Sequence, residues 1–175
     1  MWLLWIVLLW AAMLGGCAAG GAGGTPATVE RVDLARYAGT WYEIARLPQG
    51  FEEGCTGVTA TYTLRPDGKV QVVNRCHEGS LDGRVRDIKG TARSVNPPAN
   101  SRLKVTFFWP FEGDYWVFRL DDAYTTAAVG SPDRKTLWIL HRQPTMDAAE
   151  YDRLLASLKT DGFPVERLEK TVQAP

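Results

Sequence analysis

From Gly39 to Arg142 the sequence breaks into short β-prone runs set apart by turn residues, with no helical periodicity between them. That pattern argues a meander of antiparallel strands, because parallel βαβ units would place an amphipathic helix between successive runs. The runs cover 39–47, 58–64, 70–74, 87–93, 103–109, 115–120, 124–129 and 136–142, which makes eight. Left open, a sheet of that size presents two unpaired edges, and closure removes both. The expectation is therefore an all-β fold, an eight-stranded antiparallel up-and-down barrel.

Alternation within the runs sorts the side chains into two faces. In the second run Val58, Ala60, Tyr62 and Leu64 alternate with threonines and face inward. After the Arg65-Pro66-Asp67-Gly68 turn, Val70, Val72 and Asn74 continue the inward set. Ile88 and Ala92, then Leu103, Val105 and Phe107, then Tyr115 and Val117, and finally Trp138 and Leu140 complete it. Ala60, Gly90, Ala92 and several valines are small for wall positions, so the barrel is expected to keep an enclosed apolar space. A closed barrel also needs a bulky group at its narrow end. Trp41, entered through Gly39, is the expected plug, and Arg142 is the cation expected to lie on its indole face.

The segments outside the runs have their own signatures. A helical turn is expected over 32–37, with Asp33 near its start. Asp147 and Glu150 stand at capping-box spacing before an apolar stripe of Tyr151, Leu154, Leu155 and Leu158, which Asp161-Gly162 ends. This predicts a C-terminal α-helix packed on the outside of the barrel, and Val165 and Leu168 extend the tail toward one further strand. Residues 1–16 are apolar and end in Leu14-Gly15-Gly16-Cys17, which resembles the lipobox of bacterial lipoprotein signals. That resemblance implies cleavage before Cys17 and acylation of it, several acyl chains being enough to hold a soluble domain on a membrane. A secretory signal or a short membrane helix is the alternative reading of the same run. Residues 17–28, rich in Gly and Ala, read as a flexible tether, and 29–175 as one domain.

Twenty basic and twenty acidic residues cancel and are interspersed, so no nucleic-acid footprint exists. Cys55 and Cys76 lie in a chain read as exported to an oxidising compartment, and a disulfide between them is expected. The register that sets Leu64 opposite Val70 puts Val58 opposite Cys76, three positions from Cys55, so the bridge requires a bend. Gly54 and Gly57 provide for one. His77 beside Cys76 lacks the further ligands of a metal site. No nucleophile elbow, paired histidine ligands or phosphate-cradling glycine loop is present, and Asp121-Asp122 sits at a turn where solvated carboxylates are ordinary. Neither catalytic residues nor a cofactor or metal is expected.

Gly39-x-Trp41, eight strands, and a last strand ending in Arg142 before an amphipathic helix together resemble the lipocalin family. Leu120-Asp121-Asp122-Ala123-Tyr124 resembles its second signature, with Leu in place of Thr and two residues inserted before Tyr124. With the lipobox, the chain is similar to the bacterial outer-membrane members. The resemblance implies a lipid-anchored protein of the bacterial envelope that binds and stores or transports fatty acids, lysophospholipids or similar amphiphiles, with a role in envelope maintenance or stress. The implied ligand-binding residues are Ala60, Tyr62, Leu64, Val70, Val72, Asn74, Ile88, Val105, Phe107, Tyr115, Val117, Trp138 and Leu140. Gly39, Trp41, Asp121, Tyr124 and Arg142 are the implied structural residues. Tyr62, Asn74 and Tyr115 are expected to offer polar groups to a head group, and Arg84, Arg86 and Lys104 are candidates to attract an anionic one. A carrier of a planar pigment such as haem or a retinoid, or a lipid-modifying enzyme on the same barrel, are the alternatives. The apolar Trp109-Pro110-Phe111 tip leaves contact with a membrane or with a second copy, as a homodimer, open.

Overall fold

The computed structural model describes residues 24–174. The leader 1–16, Cys17 and most of the tether therefore lie outside the described residues. A short helix α1 (Leu34–Tyr37), on which the Asp33 carboxylate accepts hydrogen bonds from the Ala35 and Arg36 amides, delivers the chain to the barrel. The strands are β1 (Gly39–Arg46), β2 (Cys55–Leu64), β3 (Val70–Glu78), β4 (Val85–Ser94), β5 (Arg102–Phe108), β6 (Phe111–Leu120), β7 (Thr126–Gly130) and β8 (Leu137–His141). Each pairs antiparallel with the next, and β1 pairs with both β2 and β8, which closes the barrel. Helix α2 (Ala148–Thr160) follows, and a two-residue strand β9 (Glu169–Lys170) adds to β1. The tail strand thus falls beyond Val165, which lies in a single 3-10 turn over Val165–Arg167.

One end is closed and one is open. At the closed end Gly39 pairs with Tyr62 and the chain enters through Gly39 at φ 99°, a conformation that side chains other than glycine rarely adopt. The connections β1–β2, β3–β4, β5–β6 and β7–β8 form the open rim.

Two bulges set which side chains face in. On β1, Glu43 pairs with Leu140 and Ala45 with Ile139, so Ile44 is the extra residue. Alternation from Trp41 would turn Ala45 inward. The bulge instead sends Ala45 out beneath α2 and turns Arg46 toward the interior, opposite Trp138. On β6 Val117 lies inside the barrel and Phe118 outside it, in the layer shared with Tyr151, Leu158 and Phe163. A shift between Val117 and Arg119 keeps Arg119 outside as well, against Ser157 and Asp161, and turns Leu120 inward. Strand β7 is buried along its whole length, because Ala127 and Val129 face the interior and Ala128 faces the helix. Asp147 caps α2 by accepting from the Glu150 amide.

Cys55 and Cys76 are joined, with 5.4 Å between their Cα atoms. The bend is a bulge between Thr56 and Thr59, where Gly57 takes φ 57°. It removes one of the three positions of offset, and the remaining two make a diagonal cross-strand pair that a disulfide spans.

Candidate ligand-binding site

The closed end is built around Trp41, which is fully buried. The Arg142 guanidinium lies 4.0 Å from the indole centroid. Its nitrogens donate to Thr40 O at 2.9 Å, Arg36 O at 3.0 Å, Ala38 O at 2.9 Å and Tyr124 O at 3.2 Å. One planar cation therefore satisfies the carbonyls that end α1 and ties them to the β6–β7 turn. In that turn the Asp121 carboxylate accepts from the Thr125 and Thr126 amides, which hold it below the usual carboxylate range against the opposing effect of burial. Tyr124, at φ 60°, accepts through its hydroxyl from the Asp33 amide and carries the Arg36 guanidinium 4.0 Å above its ring. A cation on the Gly39 side also explains that residue's size, since a Cβ there would stand 3.2 Å from Arg142 Nη1.

Above this plug three phenols form a floor. Tyr37 from α1 and Tyr62 from β2 each hydrogen-bond the Tyr115 hydroxyl at 2.8 Å. Burial raises the pKa of all three, so they remain neutral hydroxyls. Beneath them Val70, Ala92, Leu103 and Val117 fill the closed end almost completely, around a residual void of about 20 Å³.

Between the floor and the open rim lies a cavity of about 740 Å³. Ala60, Tyr62, Val72, Asn74, Val105, Phe107, Tyr115, Trp138 and Leu140 line it, together with Val58 and Val129. Gly90 makes room at the wall, because a Cβ on it would meet the Phe107 ring at 2.7 Å. The Asn74 Oδ1 atom is buried and has no hydrogen-bond partner among the described residues.

Four residues named from the sequence stand elsewhere. Leu64 ends β2 two residues past the Gly39–Tyr62 pair, below the start of β1, and is 39% exposed rather than inward. Ile88 pairs with Asn74 on β3, but β5 begins to pair with β4 only at Thr91, so Ile88 is half-buried and off the cavity wall. Val70 and Val117 do face inward, yet they lie under the tyrosine floor. Tyr62 and Tyr115 use their hydroxyls on each other through Tyr115, deep in the barrel and far from its mouth. Arg84 and Lys104, the candidate rim cations, are held by Glu78 and Asp114 at 2.8 Å, and Arg86 donates to Phe51 O at 2.9 Å.

The alternation reading missed a buried polar cluster on the cavity's flank. Arg46 Nη1 donates to Glu43 Oε1 at 3.0 Å, Arg46 Nη2 donates to Glu52 O at 3.0 Å, and Trp138 Nε1 donates to Glu52 Oε2 at 3.1 Å. Thr171, beyond β9, also donates to Glu43. Burial, with Glu52 close by, pushes the Glu43 carboxyl up to about 7, and burial raises Glu52 as well. Glu43 and Glu52 both border the cavity. The signal in the sequence was a carboxylate two residues after the plug, on the inward phase of β1.

A barrel sealed at one end and hollow toward the other, with an apolar wall and a few polar groups, belongs to the class of cup-like proteins that take a small apolar molecule through the mouth. The lipocalin-like domain family matches residues 32–173. The chain is 43% identical over 140 residues to the outer membrane lipoprotein Blc of Citrobacter freundii, covering 80% of this chain and 78% of that one. It is 39% identical over 166 residues to the outer membrane lipoprotein Blc of Vibrio cholerae, covering 93% and 94%. Its fold is similar to that of insecticyanin from Manduca sexta, with a TM-score of 0.68 at 22% identity over 85% of each chain. The chain belongs to the lipocalin-like family. Its likeness to these lipoproteins places it at the outer membrane, among binding proteins and not among enzymes.

Proposed function

We propose that the protein binds and stores or carries fatty acids, lysophospholipids or similar amphiphiles in the bacterial envelope, held to the outer membrane by acyl chains on Cys17 and serving envelope maintenance. The observation that carries this reading is the cavity of about 740 Å³, open at one end and walled mainly by aliphatic and aromatic side chains. That volume falls within the roughly 300–1,000 Å³ of small-molecule sites. An acyl chain is the matching occupant, since each methylene removed from water contributes about 0.8 kcal/mol, and a dozen outweigh the cost of ordering the chain. The unpartnered Asn74 Oδ1 favours a ligand that also brings a donor, such as the glycerol hydroxyl of a lysophospholipid.

Titration calorimetry with a long-chain fatty acid and with a lysophospholipid tests the proposal. Saturable binding is expected, and Trp138→Ala should weaken it roughly tenfold while shifting the unfolding midpoint less. Unchanged affinity in the variant would remove Trp138 from the binding wall, and absence of saturation with either lipid would overturn the reading.

A further inference from the structure

We propose that the barrel stands mouth-down on the bilayer, with its open rim seated in the lipid surface through Phe51, Phe108, Trp109 and Phe111. This rests on the acyl anchor at Cys17 proposed above and goes beyond it by fixing which end meets the membrane.

The four rings are 64%, 69%, 88% and 77% exposed, respectively. Phe51 lies in the β1–β2 connection and the other three form the tip of the β5–β6 hairpin, so all four stand on the open rim. Phe51, Phe108 and Phe111 also border the cavity, which makes the apolar surface continuous from the rim to the interior. Aromatic rings of this kind are favoured where lipid meets water. At the closed end the turns carry Asp33, Arg36, Arg65, Asp67 and Asp122, and no exposed aromatic lies there among the described residues.

The path of the N-terminal segment points the same way. Arg134, in the β7–β8 connection on the open rim, donates from Nη2 to Gly24 O at 2.5 Å. Cys17 is seven residues before that contact, a reach of at most about 25 Å when fully extended. The anchor is thus attached through the open half of the barrel.

The charges of the rim identify the kind of contact. Glu112 is paired with Arg93 at 2.7 Å, Asp114 with Lys104 at 2.8 Å and Asp133 with Lys135 at 3.5 Å. These three carboxylates are matched, and Glu53 and Asp82, exposed on the β1–β2 and β3–β4 connections, add only negative charge, so the seating is apolar and needs no anionic lipid. It lets a lipid pass between bilayer and cavity without exposing its chains to water.

The test uses the full acylated chain in vesicles of phosphatidylethanolamine and phosphatidylglycerol, with a fluorophore on Trp109→Cys or, at the other end, on Asp67→Cys. Both positions are exposed, so neither change disturbs the core. Spin-labelled lipid should quench the probe at 109 several-fold and leave the probe at 67 unchanged, at low and high salt alike. Flotation of the vesicles reports the anchor separately. A chain that floats with an unquenched probe at 109, or with a quenched probe at 67, overturns the orientation and leaves the anchor standing. A probe at 109 shielded without vesicles, as protein concentration rises, assigns the rim to a second copy and also overturns it. A chain that fails to float overturns anchor and orientation together.

Discussion

Arg142 does more at the closed end than cover an indole. Its donors reach five carbonyls from three segments, and its guanidinium carbon lies 4.0 Å from the centroid of the Trp41 ring. Lysine keeps the charge but has no fork, so Arg142→Lys should lower stability by about 2–4 kcal/mol in chemical denaturation. A loss under 0.5 kcal/mol would show the hydrogen bonds to be dispensable. Glu43 offers a second test at this scale. Its carboxyl is raised from 4.5 to about 7 in the fold, chiefly by burial, so the folded state prefers the protonated form. The corresponding stability is fully present below pH 4.5 and is lost as pH rises through 7, a difference on the order of 3 kcal/mol. Glu43→Gln should flatten the pH dependence of the unfolding midpoint across that window, whereas an unaltered slope would contradict the assignment. The plug was legible in the sequence because Gly39, Trp41 and Arg142 are distinctive residue types at recognisable places. The Glu43–Arg46–Glu52 cluster was not, since Arg46 turns inward only through a bulge that strict alternation cannot anticipate.

At the scale of elements, bulges and strand lengths decide what period-two alternation leaves open. The number of strands, their antiparallel order and the capped outer helix could all be read from runs, turns and the stripe of Tyr151, Leu154, Leu155 and Leu158. What could not be read was how far each strand extends past its neighbour. Leu64 and Ile88 obey the inward phase of their own strands, but one lies below the start of β1 and the other above the β4–β5 pairing, so neither reaches the cavity. Val70 and Val117 are inward too, and only the height of the tyrosine floor separates them from the ligand space. The β2–β3 hairpin shows the same logic in a covalent link. The bulge at Gly57 brings Cys55 and Cys76 together across 21 positions of sequence, and closing a loop of that length contributes about 3 kcal/mol. The double change Cys55→Ser with Cys76→Ser should therefore lower the unfolding free energy by that amount, with a lower denaturant midpoint, while preserving the β-sheet signal. An unchanged midpoint would mean that the pairing of β2 and β3 already holds this corner.

For the molecule as a whole, the two ends have different work. The closed end is dense with hydrogen bonds and aromatic contacts, and the open half encloses the cavity and carries exposed rings around it. That division follows from side-chain size along the strands: Tyr62, Tyr115 and Trp41 fill the lower barrel, while Ala60, Gly90 and the valines leave space higher up. An open-ended cup of this volume in an outer-membrane protein has membrane lipids within reach, and the central claim is that such lipids are its cargo. The most direct measurement is native mass spectrometry of the protein taken from bacterial envelopes, followed by extraction and identification of whatever is bound. The account predicts one fatty acid or lysophospholipid per barrel, with a lower occupancy when Trp138 is replaced by alanine. An empty barrel that also ignores added acyl lipids, or one that carries a planar pigment instead, would contradict it.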